Sequence, residues 1–517
     1  MRINTNTLKN RIIIMTLRKY YIQTFGCAMN QADSEKINMI LLQSGFMKIN
    51  DWKEADLVIF NTCSVRQKWE DRVFGMLTDI SRENKKNNKN ILVWITGCMV
   101  RKTWIDAKYL SDYKRDKNKA KNITLVNNDS AIFNNDDKLF PRSEWKLDFT
   151  LRIEDTKYLP LILTHILKEA IWNDSSFDDY LKSKQLRENR AQATIIIQTG
   201  CDNYCTFCIV PYTRWKENSR SIEDIVNEAK EAVKAWAKEI TLVGQNVNSY
   251  GKQWVDRKYW NEEKGKWNEI LNPPLTPPLN KGGENDLNRF KSPFRQLLDE
   301  INNIEWLDRI RFTSSNPHDM TQDILDAHFE LDKMCNYLHF ALQSGSDKML
   351  KRMNRKHSYN DFKKMIEYLR ARDPYFSIST DIIVWYSWET EEMFEETVKA
   401  FEECEFDFVF NARYSVRKWT IAEKIYPDDI SNETKAERWH KLNDLLLESV
   451  TKRNTAMIWK VEKILVSWEK DEEYYWRTRN FKEIYFPKVE WVNIWDLVDV
   501  KITKLNRYVL KWELNND

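Results

Sequence analysis

Apolar and polar residues follow one another along this chain in two rhythms. Short β-branched runs such as Ala193–Ile197 and Leu57–Phe60 read as buried strands. Stretches such as 33–44 and 222–236 space their apolar residues by three and four, as a helix with one buried face does. From 191 to about 430 the rhythms take turns. Strands are expected near 193–198, 239–243, 309–313, 337–342, 376–384 and 407–413, and helices near 222–236, 294–303, 320–329, 346–353, 359–371 and 391–403. Six such units predict a parallel sheet curled into a partial (β/α)6 barrel. The same alternation over 18–140, with strands near 20–25, 57–60 and 91–95, predicts a smaller Rossmann-like parallel domain. Residues 141–190 read as a connector. A helix over 431–454 sets Leu442, Leu445, Leu446 and Val450 on one face. Residues 455–517 break into five short alternating strands, the pattern of a small β-barrel. The expected fold class is α/β with a C-terminal β-barrel.

Two segments fall outside these rhythms. Residues 253–292 include Asn272-Pro273-Pro274-Leu275-Thr276-Pro277-Pro278 and predict a flexible surface excursion with no part in chemistry. The basic stretch Lys114 to Lys121 reads as a solvated face. No apolar run is long enough to span a membrane. The N-terminal Ile12-Ile13-Ile14 run is too short for a signal peptide, and Met15 is an alternative start to Met1. The expected setting is reducing cytoplasm, where eight cysteines mean metal or catalysis before disulfides.

The cysteines then change the picture. The strand at 193–197 runs into Gly200-Cys201-Asp202-Asn203-Tyr204-Cys205-Thr206-Phe207-Cys208. Three thiolates here can hold three irons of a [4Fe–4S] cluster and leave the fourth iron open. Structural zinc wants four ligands, usually in pairs, and the nearest histidine in sequence is His165. In the first domain, Cys27, Cys63 and Cys98 each follow a predicted strand, about 35 residues apart. Parallel strand–helix–strand units bring such ends to one sheet edge, so these three predict a second thiolate site. Polar residues at the other strand ends are Gln245 and Asn246, Ser314 and Ser315, Gln343 and Ser344, with Asp381 inside the fifth strand. Each is expected to touch a cofactor or to cap a helix.

Composition adds one anomaly. The chain has 22 tryptophans and 11 glycines among 517 residues, about 2% glycine where about 7% is usual. Tryptophan also stands where the chain wants a turn, as in Tyr386-Ser387-Trp388-Glu389 and Arg417-Lys418-Trp419-Thr420. The expectation is that the gene's UGA codons are read as glycine in the cell. The charge balance, 81 basic against 78 acidic residues, neither requires nor excludes nucleic acid. In the terminal segment Arg477, Arg479, Lys482, Lys501 and Lys504 interleave with Tyr474, Tyr475, Phe481 and Tyr485, a mix suited to RNA.

The nonapeptide, with Phe207 before its last cysteine, resembles the radical S-adenosylmethionine (SAM) enzymes. Along nearly the whole chain the pattern is similar to the radical-SAM methylthiotransferases. It is very similar to the tRNA branch of that family in Gly200 to Arg214, which ends Cys208-Ile209-Val210-Pro211-Tyr212-Thr213-Arg214, and in Asn61-Thr62-Cys63-Ser64-Val65-Arg66, Gly244-Gln245-Asn246-Val247-Asn248-Ser249-Tyr250-Gly251 and Gln343-Ser344-Gly345-Ser346-Asp347.

The resemblance implies methylthiolation of carbon 2 of N6-isopentenyladenosine at tRNA position 37, beside the anticodon. It implies two [4Fe–4S] clusters and SAM. Cys201, Cys205 and Cys208 would hold the SAM-cleaving cluster, and Cys27, Cys63 and Cys98 the sulfur-transfer cluster. Phe207, Gln245, Asn246, Ser315, Gln343 and Asp381 are the expected SAM contacts. The domains would be a methylthiotransferase N-terminal domain (18–140), the radical SAM core (191–430) and an RNA-binding TRAM domain (455–517). Partners would be tRNA, a flavodoxin- or ferredoxin-like electron donor and a sulfur source, for a monomer. The alternatives are a sister enzyme acting on threonylcarbamoyladenosine or a ribosomal protein, and a catalytically dead RNA-binding paralogue. The family has glycine where this chain has Trp94, Trp215, Trp236, Trp306, Trp385, Trp388, Trp419, Trp459, Trp476, Trp495 and Trp512.

Overall fold

The computed structural model describes residues 18–64, 67–101, 104–105, 147–168, 171, 180–181, 183, 185–187, 189, 191–254, 260–261, 266–267, 291–470, 473–490, 492–506 and 509–514. The basic stretch 114–121 and most of the 253–292 insertion lie outside the described residues. The chain forms two compact units.

The first unit is built on a six-stranded sheet ordered Phe46–Lys48, Arg18–Thr24, Leu57–Thr62, Leu92–Gly97, Phe149–Thr150 and Trp104–Ile105. All neighbours are parallel except the last pair. Leu57–Thr62 and Leu92–Gly97 are buried at every position, as central strands covered on both faces must be. Their ends lie side by side, with Thr62 opposite Gly97 and Thr24 opposite Asn61. The expected helix at 33–44 starts earlier, at Ala28, and buries Ile37, Ile40 and Leu41 as its spacing requires. Gly97 has φ +87°, and a Cβ there would lie 2.4 Å from the Thr62 carbonyl oxygen, so only glycine can deliver Cys98 at this edge.

The core of the second unit has six parallel strands. Gln192–Ile196, Glu239–Val243 and Arg309–Phe312 form one sheet, and Tyr337–His339, Ser377–Val384 and Phe408–Arg413 another. Parallel bridges Ile310–Met334 and Ser315–Phe340 join them into one curved array, the expected partial barrel. Period-2 alternation divides its faces. Ala193, Ile195, Ile240, Leu242, Ile310, Phe312 and Leu338 join the apolar core. The opposite face carries Glu239, Arg309, Arg311, Tyr337, His339, Ser379 and Asp381. This face is polar, which the continuous apolar runs did not announce. Arg311 Nε stands 3.1 Å and Arg309 Nη1 3.7 Å from Glu239 Oε2, all three buried.

Helix Asn432–Thr455 buries Leu442, Leu446 and Val450, one turn apart. Among its described residues the terminal segment has six strands where five were expected. Their order is Val461–Leu465, Leu497–Asn506, Val509–Leu514, Glu483–Pro487, Glu473–Arg477 and Trp468–Lys470. Trp468–Lys470 was missed because three residues are too few to show a period. Ile464, Leu465, Ile484, Phe486, Val500 and Ile502 form its core.

Tryptophan occupies unusual backbone. Among the described residues, Trp215, Trp236, Trp306, Trp385, Trp388, Trp419, Trp459 and Trp495 all have φ between +59° and +78°. For a bulky residue this is a true outlier. Trp94, Trp476 and Trp512 lie instead on extended strands, and Trp94 fills the first unit's core, stacked on Phe149 at 5.7 Å.

Candidate cofactor site

The strand Gln192–Ile196 continues into a short hairpin, Gln198–Thr199 against Asn218–Ser219. Gly200 has φ +79°, and a Cβ on it would lie 2.1 Å from the Lys216 carbonyl oxygen. The chain turns there as only glycine can, and the Cys201 amide donates to the Trp215 carbonyl at 3.1 Å. The Cys208 amide closes a turn onto the Cys205 carbonyl at 2.9 Å. A second segment pins the loop. The Thr206 amide donates to the Met353 carbonyl (3.1 Å) and its hydroxyl to the Arg352 carbonyl (3.0 Å), while Asn354 Nδ2 donates to the Asn203 and Tyr204 carbonyls. The three cysteines are half-buried.

Burial pushes the Cys201 thiol well above its ordinary range, and Glu217, Cys208 and Cys205 push it further. Thiolate charge at Cys201 is therefore costly without a cation. No set of three or more His, Cys, Asp or Glu among the described residues gathers closely enough for a single metal ion. Three thiols on one loop are the donor set that fits a [4Fe–4S] cluster with one iron left open. Arg355 Nη1 and Asn203 Nδ2 each stand 3.6 Å from a sulfur, of Cys205 and Cys201 respectively.

Beside the triplet lies a polar network. Asp319 Oδ2 accepts from Asn246 Nδ2 at 2.7 Å and from Asn203 Nδ2 at 3.4 Å, and Lys252 Nζ stands 3.6 Å from its other oxygen. Burial raises the Asp319 carboxyl, but Lys252, His318 and the two amides outweigh it and leave it low. Glu217, half-buried, is raised to about 7 by desolvation and by the Asp319 charge, and accepts from Ser249. Asn246 Oδ1, Gln245 Oε1 and Ser315 Oγ are buried without a hydrogen-bond partner among the described residues. Asn246 precedes a 3-10 turn, yet its side chain does not cap it. The capping alternative therefore fails for Asn246.

The other expected contacts sit differently. Phe207 packs edge-on against Tyr386 at 6.4 Å. Gln343 is buried at φ +80°, and its backbone bonds to Asp381 and Ile383. Asp381 accepts from His339 at 3.1 Å, on a chain running through Ser379 to Tyr337 along the polar face of the barrel. Sequence reading missed Asn203, Glu217, Lys252, Asp319 and Arg355, which are loop residues with no periodic signal. The only clue was nearness to a strand end, for Glu217 and Asp319.

Cys27 is exposed, with its sulfur 3.9 Å from Asn30 Oδ1, while Cys63 and Cys98 are buried. Gly26, at φ +112°, has room for no Cβ, which would lie 2.6 Å from Cys63 Cβ. Arg214, after the triplet, reaches Asp33 Oδ2 at 2.5 Å and Asn30 Oδ1 at 3.2 Å, with both ion-pair partners buried.

The expected RNA-facing residues divide. Phe481 stacks on Tyr337 at 4.1 Å, Lys482 is buried against Asp407, and Arg479 bonds the Asp332 and Met334 carbonyls. With Arg309 and Arg311, whose guanidiniums bond the Lys463, Arg477, Thr478 and Arg479 carbonyls, these residues lock the terminal sheet to the barrel. Tyr475 and Tyr485, stacked at 5.3 Å, and the exposed Lys501 and Lys504 remain on the surface.

Residues 195–401 match the model of the Radical SAM superfamily, and residues 19–114 that of the uncharacterized protein family UPF0004. A tRNA-2-methylthio-N(6)-dimethylallyladenosine synthase of Clostridium botulinum is 33% identical over 98% of this chain and 99% of its own. Relatives of the same name from Clostridium novyi and Thermoanaerobacter sp. are each 33% identical over 96% of this chain, covering 96% and 92% of theirs. No helix among the described residues is long and apolar enough to cross a membrane.

Proposed function

This chain belongs to the family of radical SAM enzymes named tRNA-2-methylthio-N(6)-dimethylallyladenosine synthases, and we propose that it methylthiolates carbon 2 of N6-isopentenyladenosine at tRNA position 37. The observation that carries this reading is the cysteine loop itself, closed by Gly200 and crowded with three thiols, in a chain matching such relatives end to end. A [4Fe–4S] cluster and SAM, the cofactors of the radical SAM family, supply the radical that takes hydrogen from an aromatic carbon no side-chain base can deprotonate.

The chain's own residues do the holding. Cys201, Cys205 and Cys208 ligate the SAM-cleaving cluster, with Arg355 offsetting thiolate charge at Cys205 and Asn203 donating a hydrogen bond to the Cys201 sulfur. Asn246, Gln245 and Ser315 offer buried polar atoms to SAM, with Asp319 fixing the Asn246 amide. Phe207 walls the loop, and Gln343 and Asp381 contribute from the barrel. Cys27, Cys63 and Cys98 hold the second cluster, which carries the sulfur. What supports that set is the parallel sheet, whose neighbouring strands end just before each cysteine. Tyr475, Tyr485, Lys501 and Lys504 face tRNA. The enzyme works as a cytoplasmic monomer with a flavodoxin- or ferredoxin-like reductant and a separate sulfur source.

The test is nucleoside analysis of tRNA from cells lacking the gene. Loss of the 2-methylthio nucleoside with accumulation of N6-isopentenyladenosine is expected. Unchanged 2-methylthio-N6-isopentenyladenosine overturns the proposal.

A further inference from the structure

We propose that the living protein carries glycine at positions 215, 236, 306, 385, 388, 419, 459 and 495, where the sequence reads tryptophan. The backbone names the residue at each site. Trp236 is the C′ residue of helix Ile222–Lys234. Its amide bonds the Val233 carbonyl and the Ala237 amide bonds the Ala232 carbonyl, the paired bonds of a Schellman cap whose left-handed residue is usually glycine. Four more occupy the third position of a four-residue turn closed by a hydrogen bond. The closing bonds are Glu389 to Tyr386, Thr420 to Arg417, Lys460 to Met457 and Asp496 to Asn493. With φ between +63° and +77° at that third position, these are type II geometries, which call for glycine. Burial does not explain tryptophan there, since six of the eight rings are exposed, from 38% at Trp495 to 78% at Trp306. Adding these eight to the 11 glycines raises glycine from about 2% to about 4% of the chain, towards the usual share of about 7%. The codon linking the two residues is UGA, read as tryptophan in one code and as glycine in another.

The codons and the peptides test this together. UGA at the eight positions, and glycine in the tandem mass spectra of peptides from protein purified from its own cells, is the expected result. UGG at these positions, or tryptophan in those peptides, overturns it.

A separate observation concerns Arg214. Its guanidinium joins the segment after Cys208 to Asp33 and Asn30, which lie on the first turns of the helix that begins just after Cys27. We infer that Arg214 is a positioning residue that sets the Cys27 segment against the SAM-cleaving loop, so that sulfur is delivered where the radical forms. This rests on the two-cluster reading above. The test uses enzyme loaded with both clusters and compares Arg214→Lys and Arg214→Met with the unaltered protein. The readouts are iron content, the spectrum of the SAM-bound cluster, and methylthiolated product per 5′-deoxyadenosine formed. At unaltered iron content and spectrum, product per cleavage should fall at least tenfold (roughly) in Arg214→Met and be partly restored in Arg214→Lys. An unchanged ratio in Arg214→Met, or loss of cluster with the ratio kept, overturns the role. If the unaltered enzyme makes no methylthio product, it is the functional proposal that fails.

Discussion

Replacing the eight left-handed tryptophans by glycine should stabilise the protein, and the gain can be worked from the backbone. A side-chain-bearing residue in the left-handed region costs about 1–2 kcal/mol. Glycine gives back about 0.5–1 kcal/mol through its greater freedom in the unfolded chain. The net gain then runs from nothing to about 1.5 kcal/mol per site, centred on about 0.75 kcal/mol. Six of the rings are exposed, so little packing is lost. Trp385 is the exception, being buried, with Nε1 donating to the Thr434 carbonyl at 2.8 Å and Arg438 against its ring. Apart from Trp385 and Trp388 the sites lie on separate turns, and their effects are summed as independent. Over the seven sites other than Trp385 the sum centres on about 5 kcal/mol and reaches about 10 kcal/mol at most, comparable with the net stability of about 5–15 kcal/mol that folded proteins have. The assay compares two recombinant chains, one with tryptophan and one with glycine at the eight positions, by urea unfolding followed by circular dichroism. The glycine chain should unfold at clearly higher urea, and Trp236→Gly alone should move the midpoint upward. If the glycine chain unfolds at the same or lower urea, the strain argument is refuted.

Other expectations follow from single sites. His328 is buried between Phe312 and Phe376, and burial lowers its pKa to about 4. The unfolded chain takes up this proton below about pH 6.5 and the folded one does not, so stability falls as pH drops from about 6.5 to about 4 and is unaffected by this group above that window. In His328→Phe, urea midpoints should depend less steeply on pH across that range. Asp319→Ala frees the Asn246 amide and should weaken SAM binding roughly tenfold, the cost of one charge-assisted hydrogen bond, measured by equilibrium dialysis with cluster-loaded protein. Unchanged affinity would remove Asp319 from the site. Arg311→Met leaves Glu239 with only the more distant Arg309 as a buried cation and removes two bonds to the terminal sheet, and should cost about 3 kcal/mol in urea unfolding. Cys201→Ala should abolish SAM cleavage, whereas Cys27→Ala should keep cleavage and lose methylthiolated product. Product formation by Cys27→Ala would argue against the second cluster.

Much of this was written in the sequence. The six core strands and their helices fall within one to three residues of the positions their hydrophobic periods predict, because each must bury one face whatever its neighbours do. The cysteine spacing, the resemblance it carries and the oddity of tryptophan in turns were equally local. Tertiary structure decided what depends on residues distant in sequence. The polar lining of the barrel appears only when strands pair and Glu239 meets Arg309 and Arg311. Asp319 reaches Asn246 across 73 residues and Arg214 reaches Asp33 across 181, where no period or motif links them. Lys482 and Phe481 look like an RNA surface in the sequence, but the fold turns them inward as anchors. Sequence records which side chains exist and how often they alternate, while their partners are fixed only when the sheets close and loops from separate strands share one space.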